Sequence, residues 1–190
     1  MAIGAAIVAW LAIARPWTIR PIGGEPEGPF DATAYVAKIW DARAVPAVRA
    51  RAISFAAYEN QHTTRATPVS LDGTVVDVDT RSRVGVAAVD LNPADGRADA
   101  RLLIGPALRG TAIRDALDFI QFTDFTNQIQ FAAVANALND RAMQTALKDV
   151  NAASLAGRRV QVIGVAWRDS TAPDALPFVV PVQLSIGDRP

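Results

Sequence analysis

Between Gly110 and Ala132 the chain reads GTAIRDALDFIQFTDFTNQIQFA, and this stretch holds the densest set of side chains able to do chemistry. Arg114, Asp115, Asp118 and Asp124 supply charge, Asn127 and Gln128 supply carboxamides, and Phe119, Phe122, Phe125 and Phe131 stand among them. With Arg109 just upstream, the set Arg109, Arg114, Asp115, Asn127 and Gln128 is a candidate pocket for a small polar or anionic ligand. The same residues also suit a scaffold. Thr123, Asp124 and Thr126 are good N-cap types, so a helix starts among them. Asn127 then falls on the apolar stripe of that helix, where it would bond backbone groups of the preceding crossover. Such groups cost ~1–3 kcal/mol each when buried unpaired. Gly110-Thr111 reads as turn and cap for a short helix, AIRDAL, with Asp115 and Arg109 or Arg114 available as an ion pair. Scaffold accounts for the cluster with fewer assumptions.

Other chemistries are more sparsely provided. Asp77 and Asp79 alternate along an expected strand, so they share a face with side chains roughly 7 Å apart. Two carboxylates invite an extracytoplasmic hydrolase acting through Asp77/Asp79 or Asp115, and a buried acid of raised pKa would mark it. Asp90, Asn92 and Asp95 in DLNPADGRAD are arranged loosely like a calcium loop. One extra residue precedes the Asp-Gly and the closing Glu is absent, so a hairpin turn is the simpler account. His62, the one histidine, sits in the polar segment YENQHTTRATP with no motif-fixed acid or hydroxyl beside it. There is no cysteine, which excludes thiolate nucleophiles, disulfides and Cys-ligated metals. No Gly-rich phosphate loop, nucleophile elbow or HExxH motif occurs, and no cofactor is expected.

Formal net charge is zero, which argues against a nucleic-acid partner. The expected second and third strands also lack the aromatic residues on which bases would stack. Residues 1–14, MAIGAAIVAWLAIA, carry no charged side chain before Arg15. A spanning helix needs roughly 20 apolar residues and a signal-peptide core ~7–15. Residues 1–20 therefore read as a signal peptide or membrane anchor, with Trp10 and Trp17 as interfacial aromatics, and 21–29, rich in Pro, Gly and Glu, as a linker. A buried core helix is the alternative. The anchor reading places the folded part in the periplasm or otherwise outside the cytoplasm, tethered to the inner membrane.

A helical segment is expected over 30–60, opened by Asp31 as N-cap and bent or ended by Pro46. Strands follow at 72–80, 83–91, 98–105, 157–167 and 177–186, with a long helix from about Phe125 to Asp149 between the third and fourth. The order β-β-β-α-β-β describes a mainly β chain with helices: an OB-fold-like five-stranded barrel over 70–190, preceded by N-terminal helices. Gly85 and Gly164 inside strands suit the bends that curl a short sheet.

FDATAYVAKIWDARAVPA, IGPALRGTAIRDALDFIQFTDFTNQIQFAAVANALN and LAGRRVQVIGVAW, in that order, resemble the DUF2291 family of predicted bacterial periplasmic lipoproteins. The resemblance covers nearly everything after Pro29. It implies an exported OB-like domain whose partner is a component of a sugar ABC transporter or another envelope protein, and it brings no catalytic residues. The chain departs from the family in lacking a lipobox cysteine.

Overall fold

The computed structural model describes residues 30–188 apart from Asn92 and Pro173. The anchor and linker expected over 1–29 therefore lie outside the described residues. The described residues from Asp31 to Asp188 form one compact unit in which N-terminal helices pack directly on a barrel.

Helix α1, Ala32–Ile39, opens on Asp31, whose Oδ1 accepts the N–H groups of Thr33 at 2.9 Å and Ala34 at 3.0 Å. Pro46 neither ends nor breaks the helical run. Instead the chain widens into a π turn, Trp40–Ala44, and continues as α2, Val45–Arg51, with Pro46 in its first turn. Proline lacks an N–H, and in a regular helix its ring strikes the carbonyl four residues back. The wider turn, in which the Val45 N–H reaches the Trp40 carbonyl, relieves that conflict just ahead of the ring. Val36, Trp40, Ala44 and Val48 form the buried side of the run. A two-residue strand β1, Ile53–Ser54, and a short helix α3, Phe55–Glu59, lead to the barrel.

Five strands make the barrel: β2 Thr67–Asp79, β3 Val86–Leu91, β4 Ala100–Leu103, β5 Arg159–Trp167 and β6 Phe178–Ile186. The order across the sheet is β1-β2-β3-β4-β6-β5, and a further β2–β5 pairing closes it. β1 runs parallel to β2 and β4 parallel to β6, while the other neighbours are antiparallel. Helix α4, Ala112–Asp115, and the long helix α5, Gln128–Ala146, lie between β4 and β5 in sequence, as the pattern of elements anticipates. β2 begins at Thr67, earlier than the expected 72. Pro68 hides that start, because proline cannot donate to a ladder; it stands second in the strand, opposite Val165.

Alternation in β2 puts Val69, Leu71 and Val75 into the barrel, where they meet Val89, Leu102, Val160, Val162 and Val180. Bulges between Val75 and Asp77 in β2, and opposite Ile163/Gly164 in the β5–β6 pair, supply the curl. α5 turns Val134, Ala135, Leu138 and Ala142 inward and packs on β6 and α1; Phe131, expected on the same stripe from its spacing, is only half-buried. The chain crosses itself after β4, where the Gly105 N–H donates to the Val84 carbonyl at 2.7 Å. A Cβ on Gly105 would lie 2.1 Å from that carbonyl oxygen, so only glycine permits the crossing. Gly105→Ala should therefore destabilise by about 1–3 kcal/mol, lowering the melting temperature by roughly 2–12 °C. Thermal unfolding followed by circular dichroism reads this, and an unchanged melting temperature would contradict the crossing.

Candidate functional site

Arg114 is the centre of the polar cluster. Its side chain is 11 % exposed and spans three partners. Nε and Nη2 donate to Asp115 Oδ1 at 2.9 and 2.7 Å, Nη1 donates to the Phe131 carbonyl at 3.3 Å, and the guanidinium lies 3.8 Å above the Phe131 ring. The second Asp115 oxygen accepts the Thr111 hydroxyl at 2.5 Å. These contacts tie α4 to the first turns of α5, and a cation over an aromatic face adds about 0.5–2 kcal/mol. Asp115 also borders an open polar cleft of about 660 Å³ together with Arg51, Arg65 and Asp118, where Arg51 and Asp118 pair at 2.8 Å.

The remaining members of the candidate set stand apart from that centre. Arg109 and Gln128 are exposed, and so is Asn127. Helix α5 starts at Gln128, after a separate 3-10 turn over Phe122–Asp124, and Asn127 itself is the N-cap. Its Oδ1 accepts the Gln130 N–H at 3.0 Å, while Gln130 Oε1 accepts the Thr126 N–H at 3.0 Å. Asn127 thus satisfies its own helix end and is not on the buried stripe. The amide that reaches the crossover is Asn139, 2 % exposed, whose Nδ2 donates to the Gly110 carbonyl at 2.9 Å. Its signal was present in the sequence: Asn139 follows Leu138 and stands four residues after Ala135, inside the apolar stripe.

Asp90, 2 % exposed, has turned onto its own hairpin: its oxygens accept N–H groups from Asp95 at 3.3 Å and Gly96 at 2.7 Å. Asp99 Oδ2 accepts the Leu91 N–H at 2.8 Å and Asp95 Oδ1 the Arg97 N–H at 2.9 Å. The loop thus uses these carboxylates as turn formers; Asn92 lies outside the described residues. Among the described residues, no group of three or more His, Asp or Glu side chains is arranged to hold a metal. Asp79 accepts two donors from the Arg81 side chain, at 3.0 and 2.7 Å, and these bonds hold its pKa down at about 2. The neighbouring charge of Asp77 also acts on Arg81. Asp79, held ionised by a solvated cation, is the opposite of an acid kept protonated for catalysis. His62 is exposed in a turn at φ 45°, with no described acid bonded to its ring.

The concave feature with mixed lining is elsewhere. An open groove of about 570 Å³ crosses the outer face of β2, β5 and β6, walled by Arg49 of α2 and by the start of α3. Strand register lays two rows across its floor, Ser70–Ile163–Gln183 and Asp72–Gln161–Ser185. Arg159 holds Asp72 bidentately at 2.9 and 2.8 Å, and Gln161 Nε2 donates to the same carboxylate at 3.2 Å. Gln183 differs from its neighbours: its carboxamide oxygen is shielded from solvent and has no hydrogen-bond partner among the described residues. Nothing in the local sequence marks this groove, because its residues are ordinary polar positions of alternating strands.

A family model described as "Predicted periplasmic lipoprotein (DUF2291)" matches residues 55–185. The chain belongs to the DUF2291 family. That membership supports an extracytoplasmic location. No curated protein matches the chain. Among solved structures, an OB-fold protein of Thermotoga maritima superposes with a TM-score of 0.62 at 17 % identity, covering 84 % of this chain and 99 % of that one. The likeness establishes for this DUF2291 chain the OB architecture that its strand order indicates.

Two outcomes test the assignment of scaffold roles. Asn139→Ala should cost about 1–3 kcal/mol in urea unfolding because the Gly110 carbonyl loses its partner, whereas Gln128→Ala should stay within about 0.5 kcal/mol. For Asp79, the folded-state pKa lies below its ordinary value of 3.8, so its stabilising contribution is complete above that pH and is lost as pH falls through about 2. Carboxyl NMR titration should place its midpoint near 2, and Arg81→Ala should return it towards 3.8.

Proposed function

We propose that the chain is a non-catalytic module of the cell envelope, tethered to the inner membrane by residues 1–20, that binds a small, neutral, hydroxyl-rich solute in the groove over β2, β5 and β6. The observation that carries this reading is the Gln183 carboxamide oxygen, solvent-shielded and unpartnered on the groove floor. An acceptor buried without a donor costs roughly 1–3 kcal/mol, and in this reading the Gln183 side chain turns its oxygen out into the groove, where a ligand hydroxyl donates to it and recovers that loss. Ser185 and Gln161 in the neighbouring row offer further donors and acceptors to vicinal hydroxyls. Charge on the lining is balanced between Arg49 and Asp72, and Asp72 is already held by Arg159, so a neutral ligand fits better than an anion. The volume lies within the range of about 300–1,000 Å³ common for small-molecule sites.

Catalysis has no counterpart in this groove. Asp77, Asp79 and Asp115 do not line it, and Asp115 is engaged by Arg114 and Thr111. In this proposal Arg114 and Asp115 fasten the helices, Asn127 caps α5, and Arg109 and Gln128 remain surface residues. The recipient of the solute would be a sugar ABC-transporter component or another envelope protein, which accords with the family resemblance of the sequence.

Thermal-shift measurements with neutral pentoses, hexoses and polyols, alongside sugar phosphates and divalent ions, test the groove. Saturation at about 100 times Kd should stabilise by about 2.7 kcal/mol, or roughly 5–11 °C. Gln183→Leu should abolish the shift and Gln128→Ala should keep it. A response confined to sugar phosphates would overturn the neutral class, and none at all would remove the groove as a receptor.

A further inference from the structure

The two rows on the groove floor hold six side chains, and one of the six is a hydrocarbon. Register sets Ser70, Ile163 and Gln183 side by side on β2, β5 and β6, with Asp72, Gln161 and Ser185 in the next row on the same face. Neighbouring strands lie about 4.8 Å apart and such rows about 6.8 Å apart, so the six positions cover roughly 10 by 7 Å.

Ile163 owes its exposure to the place where helix cover stops. Val165, two residues further along the same face of β5, is 0 % exposed, and α2 packs on both β2 and β5. Ile163 is only half-buried, so it forms an apolar corner where the floor meets the helical wall. A lone apolar side chain on an open surface needs no explanation. This one is sunk in a concave site, with Ser70 and Gln183 on either side and Gln161 next along its own strand.

Such a pattern discriminates between solutes that carry the same hydroxyls. An apolar spot gains free energy only from hydrocarbon laid against it. An open-chain polyol bears a hydroxyl on every carbon, has no continuous hydrocarbon face, and loses the freedom of several bonds when held still. A pyranose ring is already closed, and its hydroxyls project around the rim while C–H groups gather on a face. Laid flat on Ile163, that face meets the side chain and the rim meets the polar frame.

We propose that the groove selects a monosaccharide in its cyclic form, with a C–H face of the ring on Ile163 and the rim hydroxyls bonded by Ser70, Gln161 and Gln183. This deepens, and rests on, the reading of the groove as a receptor for a neutral, hydroxyl-rich solute. Ile163 is the residue that sets ring above chain.

Calorimetric titration of the full-length chain compares D-xylose, D-glucose and their methyl pyranosides, which cannot open, with xylitol and sorbitol. The rings should bind about 10-fold or more tightly than the polyols of equal carbon number, the effect of a methylene-sized apolar contact. Their binding should also carry the negative heat-capacity change of apolar burial. Ile163→Ser should bring ring and chain to the same affinity, while Ile163→Phe, which restores an apolar platform, should keep the preference. Circular dichroism of both variants checks that the barrel is intact. Polyols that bind the native chain as tightly as the rings, or a preference that survives Ile163→Ser, would overturn the ring and leave the groove standing as a receptor. Binding of neither class would overturn the receptor reading and this inference together.

Discussion

The structure depends on β2 serving two neighbours at once. Residues 67–74 pair with β5 and 73–79 with β3, while β1 covers the other edge at Val69 and Ser70. Thr67 and Ala166 are far apart in sequence, but the entropy of closing a loop rises only by about 0.6 kcal/mol per doubling of its length. The register of that pairing decides the faces. Val69 and Leu71 point into the barrel while Ser70 and Asp72 point out, and a slip by one residue would exchange them. Burial of the valines and leucines thus also determines that the polar rows of the groove exist.

Much of this was legible from the chain because local chemistry and tertiary role agree. Asp31 caps the helix it was expected to cap, the apolar stripe from Val134 to Ala142 faces the barrel, and the strand–helix order identifies the fold. Failures cluster where a neighbour from afar changes the meaning of a residue. Pro46 reads as a bend or an end to the helix until the π turn before it is seen, and the first barrel strand reads as starting at 72 until β5 is laid beside Thr67 and Pro68. The helical spacing puts Asn127 on the buried face, but the first turn of α5 stands clear of the core, and the buried carboxamide is Asn139. The groove was invisible for a related reason. Ser70, Gln161 and Gln183 come from strands that meet only in three dimensions, and their roof is a helix read separately.

The polar cluster that draws the eye first turns out to hold helices together. Arg114 bonds Asp115, caps the space under Phe131 and touches its carbonyl, so one side chain joins the crossover to the long helix. At the other end of the chain, Arg168 does comparable work, donating to both oxygens of Glu59 at 2.7 and 2.6 Å and to the Ala175 carbonyl at 3.0 Å. Beside it, burial pushes the Tyr58 phenol up to about 12, so that ring remains protonated as part of the packing. The preference for arginine in both places follows from its planar fork, which can serve a carboxylate and a carbonyl in one geometry.

β4 is four residues long and meets β6 through Arg101 with Phe178 and Leu102 with Val179. Elsewhere the barrel strands share longer ladders, so this is the seam with the least main-chain bonding. Outside it, Arg101 lies 3.9 Å over the Phe178 ring, which stacks on Trp167 at 5.2 Å, a rivet of side chains across three strands. Breathing of the barrel would start here, separating β3 and β4 from β6 while β2, β5 and β6 stay zipped. A wall that yields on one side and stays rigid under the groove lets the cylinder flex without disturbing its polar floor.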